Sequence, residues 1–287
     1  MGHKMKQIMA AILGSWCTVS FATDVVNTAW YSSDSDGSTT AKYSSSRIDG
    51  SWGIRAQNTV WSGISSNKSP GVGITVQKWN DNGGINGHIT VNSGTNHRWV
   101  DADISGDYAI SKNVKVSSGL FADTLTSYRL SPGDITISGV FGGVELNQGL
   151  FGATSVLKWA RRSDGTEQTT VTAKASMHFM RGGTGYVVVK NYTNTGTSTQ
   201  YFSPLRHNRV GAGINYRLFW SSGTVKLNLE ANRVMNDGVA DRTVLGSIDL
   251  EQRISSKSRV GFLVGKDYSL AGNYTYTYKQ IVYRTTF

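Results

Sequence analysis

From Asp24 onward the chain alternates apolar and polar positions in runs of roughly ten residues, broken by clusters of Gly, Asn, Asp and Ser. Helical periodicity is almost absent. This period of two predicts strands at 24–33, 38–48, 51–61, 71–79, 85–92, 98–110, 114–125, 134–144, 150–160, 167–179, 185–193, 208–218, 224–234, 242–254 and 258–268, with a closing strand inside 273–287. The expectation is an all-β chain of about 16 strands, in a range of roughly 12 to 18, an even number suited to a closed antiparallel barrel.

The alternation can be followed residue by residue late in the chain. Val225, Leu227, Leu229 and Ala231 share one face, with Lys226, Asn228, Glu230 and Asn232 on the other. Val244, Gly246, Ile248 and Leu250 oppose Asp249, Glu251 and Arg253, and Val210, Ala212, Ile214, Tyr216 and Leu218 oppose Arg209, Asn215 and Arg217. A soluble β-sandwich alternates in the same way, but its strands usually run about 5 to 6 residues. These approach the roughly 9 to 11 residues of a tilted membrane-crossing strand. Length therefore favours a transmembrane antiparallel up-and-down β-barrel, polar inside and apolar towards lipid.

Turn chemistry repeats: YAISKNVKV at 108–116 and LEQRISSKSRVGF at 250–262 both pass from strand through Ile-Ser and Lys into a new strand. Counting eight strands between these tight turns puts them on one side of the barrel, the short-turn periplasmic side. The same parity sends 62–70, 127–133 and 194–206 outward as longer connections, with 32–46 as an extended outer hairpin. Trp30, Tyr31, Trp52, Trp61, Trp79, Trp99, Trp159, Phe179, Tyr216 and Trp220 fall mainly near strand ends, where interfacial girdles are expected.

The last stretch, NYTYTYKQIVYRTTF at 273–287, places Phe287, Thr285, Tyr283 and Ile281 on one side and Thr286, Arg284 and Gln280 on the other. It resembles the final strand of bacterial outer-membrane β-barrels, and the resemblance implies that Phe287 is part of the signal presented to their assembly machinery. Thr285 and Lys279 depart from that pattern, standing where apolar or aromatic residues are more usual. At the other end, His3, Lys4 and Lys6 precede an apolar run, and Ser20 and Ala22 fit the small-residue positions of a cleavage site. The expected organisation is a signal peptide at 1–22 and one outer-membrane barrel domain at 23–287.

Composition agrees with export. The only cysteine, Cys17, lies within the signal segment, so the processed chain has no disulfide and no thiolate metal site. Of 29 basic residues, Lys4 and Lys6 precede the cut; the remaining 27 against 19 acidic residues give a formal charge of +8. Such a surplus can signal nucleic acid, but the cations are spread one or two per strand and the export signal argues against that role. With 38% hydrophobic residues, 33 Gly and 3 Pro the chain is less apolar than a helical membrane protein, as alternation in a barrel allows.

No catalytic or metal site is expected. His178 shares its face with Ser176, Lys174 and Thr172, yet no third member of a triad is identifiable. His88, His97 and His207 stand singly, and Asp101, Asp103 and Asp107 read better as a lumenal charge ladder than as a Ca²⁺ site. The expected pore-lining set is Arg55, Asp101, Asp103, Lys174, Arg209, Arg217, Lys226, Glu230 and Arg253, with Lys115 and Lys158 among the inward cations. Rings of opposed charge with a positive surplus would favour anions.

Within QYFSPLRHNRVGAGINYR at 200–217, the element Tyr201, Phe202, Ser203, Pro204 leads into a strand. It resembles the YFSP or YYSP element in the C-terminal barrels of exopolysaccharide export proteins, the cellulose-secretion subunit and the poly-N-acetylglucosamine porin. That resemblance implies a conduit for a polysaccharide. Those proteins carry helical-repeat arrays before the barrel, and here the signal segment runs almost directly into the first strand, so delivery would require a separate periplasmic helical-repeat protein. A diffusion porin for small anionic or sugar solutes, and a non-conducting structural or surface-interaction barrel, are the alternatives. The partners expected are outer-membrane lipid, the assembly machinery, and a polysaccharide or anionic small solute, without a cofactor.

Overall fold

In the computed structural model, which describes residues 24–94, 97–126, 129–198, 201–271 and 274–286, sixteen antiparallel strands form one sheet that returns to its start. They are β1 (Asp24–Asp34), β2 (Thr39–Asp49), β3 (Trp52–Ser62), β4 (Ser66–Asn80), β5 (Gly83–Ser93), β6 (Arg98–Ser111), β7 (Val114–Leu125) and β8 (Ile135–Gln148). The second half comprises β9 (Phe151–Arg162), β10 (Glu167–Met180), β11 (Gly183–Asn194), β12 (Arg206–Trp220), β13 (Gly223–Asn236), β14 (Val239–Arg253), β15 (Ser258–Ser269) and β16 (Thr275–Thr286). β1 closes on β16 from Asp24 opposite Thr286 to Asp34 opposite Tyr276, so every strand has a neighbour on both sides and the sheet has no edge strand. Closure is what lets a sheet stand in hydrocarbon, where an unpaired backbone N–H or C=O has no water to turn to. No helix among the described residues is long and apolar enough to cross a membrane, and the strands do so instead.

The alternation sets which face is which. Along β13, Leu227 and Leu229 lie exposed on the outside while Glu230, Asn232 and Val234 are buried inside. The register carries this into β14, where Glu230 faces Leu245 and Lys226 faces Asp249 on the inner wall. β16 follows the expected pattern: Thr285, Tyr283 and Ile281 pair with the outward Val25, Asn27 and Ala29, and Arg284 and Gln280 point in. Phe287 and the expected signal segment at 1–22 lie outside the described residues. A closed barrel with a polar inside and an apolar outside is an outer-membrane structure, because this inversion is stable only where lipid surrounds it.

Connections differ between the two ends. β2–β3, β4–β5, β6–β7, β8–β9, β10–β11 and β12–β13 are joined by two-residue turns on one side, the side of both Ser/Lys turns. The opposite side carries the longer connections 126–134 and 195–205, which identifies it as the outer face. One outer hairpin is tight: Asp237 and Gly238 both adopt positive φ (48° and 88°), the geometry of a two-residue type I′ turn.

Two sequence expectations are corrected. The 62–70 stretch is not a long connection, because β4 already begins at Ser66 and Pro70 sits opposite Asn58. Pro70 is tolerated because the β4–β5 ladder starts only at Gly71, so β4 overhangs its neighbour where the missing N–H would be needed. The 32–46 stretch, by contrast, is the expected outer hairpin, β1 and β2 joined by a short turn at 35–38. The aromatic residues also divide. Tyr31, Trp52, Trp159, Phe179, Tyr216 and Trp220 lie on the outward face, whereas Trp30, Trp61, Trp79 and Trp99 fall on inward register positions. Trp61 is 0% exposed and Trp99 3%, so those two are interior packing rather than girdle.

Candidate functional site

The lumen is not a uniform tube. On the β2–β7 side the wall folds back on itself, bringing β3 near β5 and β2 near β4 across the intervening strands. Lys42 on β2 reaches Asp123 on β7 at 2.9 Å and Asp101 on β6 at 3.5 Å. Five inter-strand spacings of roughly 4.8 Å would separate β2 from β7 by about 24 Å on an open sheet, far beyond the joint reach of a Lys and an Asp. The ion pairs therefore cross the interior and hold a collapsed sector.

That sector is packed. Gln57 donates to Asp101 at 2.7 Å and to Asn92 at 3.3 Å, Arg55 donates to Gln57 at 2.9 Å, and His88 lies 3.3 Å from Asp101. Trp61, Thr59, Ser69, Thr90 and Asn92 are almost completely excluded from solvent. The Thr59, Ser69 and Thr90 hydroxyls and the Trp99 Nε1 are buried without a hydrogen-bond partner among the described residues. Such groups are ordinarily satisfied by enclosed water. The tight packing uses small residues: a Cβ at Gly73 would lie 2.0 Å from the Ile89 carbonyl.

The other wall remains lined by cations and rings. Lys174 Nζ stands 3.6 Å above the Tyr186 ring and Lys158 Nζ 3.7 Å above Phe121. The Tyr186 hydroxyl donates to Asn228 and Glu230, and Glu230 also takes the Arg209 guanidinium, which donates to Asn232 as well. Tyr192 stacks on His207 at 4.3 Å, and Tyr276 and Tyr278 approach within 5.9 Å on the inner face of β16. Towards the periplasm a cavity of ≈ 580 Å³ opens between His178, Thr184, Asn215, Arg217, Lys226 and Asp249, continuing to Asn228 and Ser247.

Each residue of the expected pore-lining set occupies an inward register position, and most are engaged. Asp101 and Arg55 belong to the packed sector, Arg209 and Glu230 form one pair, and Lys226 lies 3.7 Å from Asp249. Lys115 reaches Asp107 at 2.7 Å, while Asp103 faces the lumen within electrostatic range of Lys158. Lys174 leans on Tyr186, Arg217 on Phe219 at 5.7 Å, and Arg253 pairs in register with Arg259, which takes Glu251 at 3.1 Å. Lys42, Asp123, Lys190 and Asp267 were absent from the expected set although alternation places them inside. Their acids offset much of the lumenal charge. The surplus lies elsewhere: Lys68, Arg98, Arg161, Arg206, Arg233 and Arg242 point outward near the outer ends of their strands.

His178 Nδ1 lies 2.7 Å from the Thr184 hydroxyl, whereas Ser176, the serine on its own strand face, donates to the Gly152 carbonyl. Among the described residues no three His, Cys, Asp or Glu side chains are grouped to hold a metal.

The Tyr201–Pro204 element sits in the outer connection 195–205, pinned at both sides. Tyr201 donates to Asp164 at 2.6 Å and its ring lies 5.2 Å from the Arg162 guanidinium; Ser203 donates to the Gly196 carbonyl, and Asn194 to that of Pro204. Asp237 accepts the backbone N–H groups of Leu205 and Arg206. Phe202 is left 68% exposed. Burial pushes the Asp164 carboxyl up, but hydrogen bonds from Tyr201 and Thr166 outweigh it and hold it below the usual carboxylate range. Burial and the bond to Asp164 push the Tyr201 hydroxyl up.

No protein-family model and no curated protein matches the sequence. Among solved structures, a barrel described as a bacterial polysaccharide outer membrane secretin superposes with a TM-score of 0.71 at 12% identity, over 94% of this chain and 100% of that one. Pseudomonas aeruginosa OccK3 (OpdO) aligns over 92% of this chain and 94% of its own at 10% identity, but with a TM-score of 0.47, too low to bear on the architecture. At 12% identity the first likeness concerns the fold alone, a closed outer-membrane β-barrel.

Proposed function

We propose that the barrel passes a polysaccharide across the outer membrane. The observation that carries this reading is the aromatic inner wall: Tyr192, stacked on His207, and Tyr276 and Tyr278 on β16 occupy inward positions and are only half-buried, beside largely neutralised ions. Aromatic faces stack on sugar rings, and polar groups already paired with one another bind a neutral or weakly charged polymer loosely enough to let it move. The likeness to a polysaccharide secretin barrel and the Tyr-Phe-Ser-Pro connection support the same reading. It includes export by segment 1–22, insertion by the barrel-assembly machinery through a signal ending at Phe287, and polymer delivery by a separate periplasmic helical-repeat protein. None of these steps calls on catalysis, a cofactor or nucleic acid.

A second reading is diffusion of small anionic solutes. It is favoured by Lys158, Lys174 and Lys190, which among the described residues have no carboxylate within ion-pair distance. Planar-bilayer recordings of the refolded barrel separate the two. Soluble oligosaccharide should produce discrete current interruptions that shorten in Tyr276→Ala and Tyr278→Ala. An uninterrupted, strongly anion-selective current would instead assign the barrel to small anions.

A further inference from the structure

Arg233 on β13 and Arg242 on β14 are direct cross-strand partners, both exposed on the outer surface of the barrel. Like charges placed opposite each other on one face of a sheet repel and cost stability. Neither guanidinium has a carboxylate within ion-pair distance among the described residues. The neighbouring acids are occupied: Asp241 accepts the Ser269 hydroxyl and the Arg242 N–H, and Asp237 the Leu205 and Arg206 N–H groups.

Height along the barrel gives this pair its meaning. On β13 the outward series Val225, Leu227, Leu229 and Ala231 is apolar up to Arg233; on β14 Leu250, Ile248, Gly246 and Val244 are apolar up to Arg242. Beyond them only the outward pair Met235 and Ala240 precedes the turn at Asp237–Gly238, so both arginines stand at the outer rim of the lipid-facing band. Lys266 and Lys279 lie on the same outer face of β15 and β16, diagonal to one another across the register. This also accounts for Lys279, which departs from the usual pattern of a closing strand. A cleft of ≈ 500 Å³ opens between Arg233, Ala240, Asp241, Arg242, Leu270 and Ala271, and the outward Gly246 below it leaves open space where a side chain would stand.

We propose that the outer face of β13–β16 is a docking surface for the phosphorylated glycolipid of the outer leaflet. A phosphate lies between Arg233 and Arg242, and the acyl chains run down over Gly246, Ile248 and Leu229. Arginine matches phosphate with paired N–H donors, and a phosphate between the two guanidinium groups converts their repulsion into attraction. Lys266 and Lys279 extend their stems along the apolar surface and bring their charges up to the headgroup level. The surface is independent of what passes through the lumen, so its test and the conductance test fail separately.

The probe is lipid A, a bis-phosphorylated acylated glucosamine disaccharide, titrated into the full barrel in non-ionic detergent and read by native mass spectrometry. Heat-modifiable gel migration verifies that each variant is folded. Wild type should retain lipid A, and Arg233→Gln/Arg242→Gln should weaken retention by about tenfold or more. Lipid A stripped of its phosphates should bind the wild type as weakly as intact lipid A binds the double variant, and millimolar inorganic phosphate should not displace the lipid. Equal retention by the double variant, equal binding of the dephosphorylated lipid, or displacement by inorganic phosphate would each overturn the proposal. Should the double variant not fold, Lys266→Gln/Lys279→Gln supplies the same comparison, with a loss of several-fold expected and an unchanged affinity counting against the surface.

Discussion

Replacing Lys42 by Met tests whether the collapsed sector is held by the ion pairs that cross it. Met preserves much of the stem's apolar volume and removes only the ammonium. Two carboxylates then lose their cation, and they do not lose equally. The Asp123 side chain is 43% exposed, so water replaces most of what it loses; the Asp101 side chain is 10% exposed and, among the described residues, keeps hydrogen bonds to Gln57 and His88 with the Arg55 charge nearby. Breaking a buried ion pair costs about 3 to 5 kcal/mol, and the bonds Asp101 retains place this case near 3 kcal/mol. Urea unfolding in a thin lipid bilayer, followed by tryptophan fluorescence, measures the loss. Single-channel conductance should rise in the same variant, because β2 and β7 can move apart. The double variant Lys42→Met/Asp101→Asn should recover at least half of the stability, since a neutral amide no longer needs the ammonium and still accepts from Gln57. A loss below about 1 kcal/mol with unchanged conductance would mean that the wall folds back for some other reason.

Three further outcomes follow from individual sites. Trp61→Ala removes a wholly buried ring from the same sector and should destabilise the barrel by about 3 to 5 kcal/mol in the same urea assay. Arg217 lines the periplasmic cavity without a carboxylate partner among the described residues, so Arg217→Glu should shift reversal potentials towards cations while leaving the barrel folded; unchanged selectivity would remove this strand's inner face from the conducting path. The Asp164 carboxyl is held below its unfolded value of about 3.9, so its contribution to docking the 195–205 connection is complete above that pH and lost as pH falls through the lowered value. Protease cleavage within 201–205 should thus increase in acid in the wild type, and Tyr201→Phe should already be cleaved faster at neutral pH; identical cleavage of the two proteins at both pH values would refute the anchor.

The inner wall and the outer wall were legible in the sequence because a strand has a strict period of two: once Leu227 is known to face lipid, Lys226 and Glu230 must face the lumen. Strand number, the short-turn side and the inward places of Arg209, Arg217 and Lys174 rest on the same regularity. Alternation says nothing about which inward residues meet. Lys42 and Asp123 are 81 residues apart on strands that are not neighbours, and only the folding of the wall onto itself brings them together. Trp61 and Trp99 illustrate the same limit, since a tryptophan near a strand end reads as an interfacial anchor until the register turns it inward.

The sequence by itself determined the two surfaces, because period and strand length are local properties that each segment carries alone. Tertiary structure decided how the charges were distributed between them. The cations counted along the chain include outward arginines such as Arg233 and Arg242, and only the register of β13 against β14 sets these two face to face at the edge of the apolar band. Pairing across a closed sheet is a relation between distant segments, and no single segment contains it.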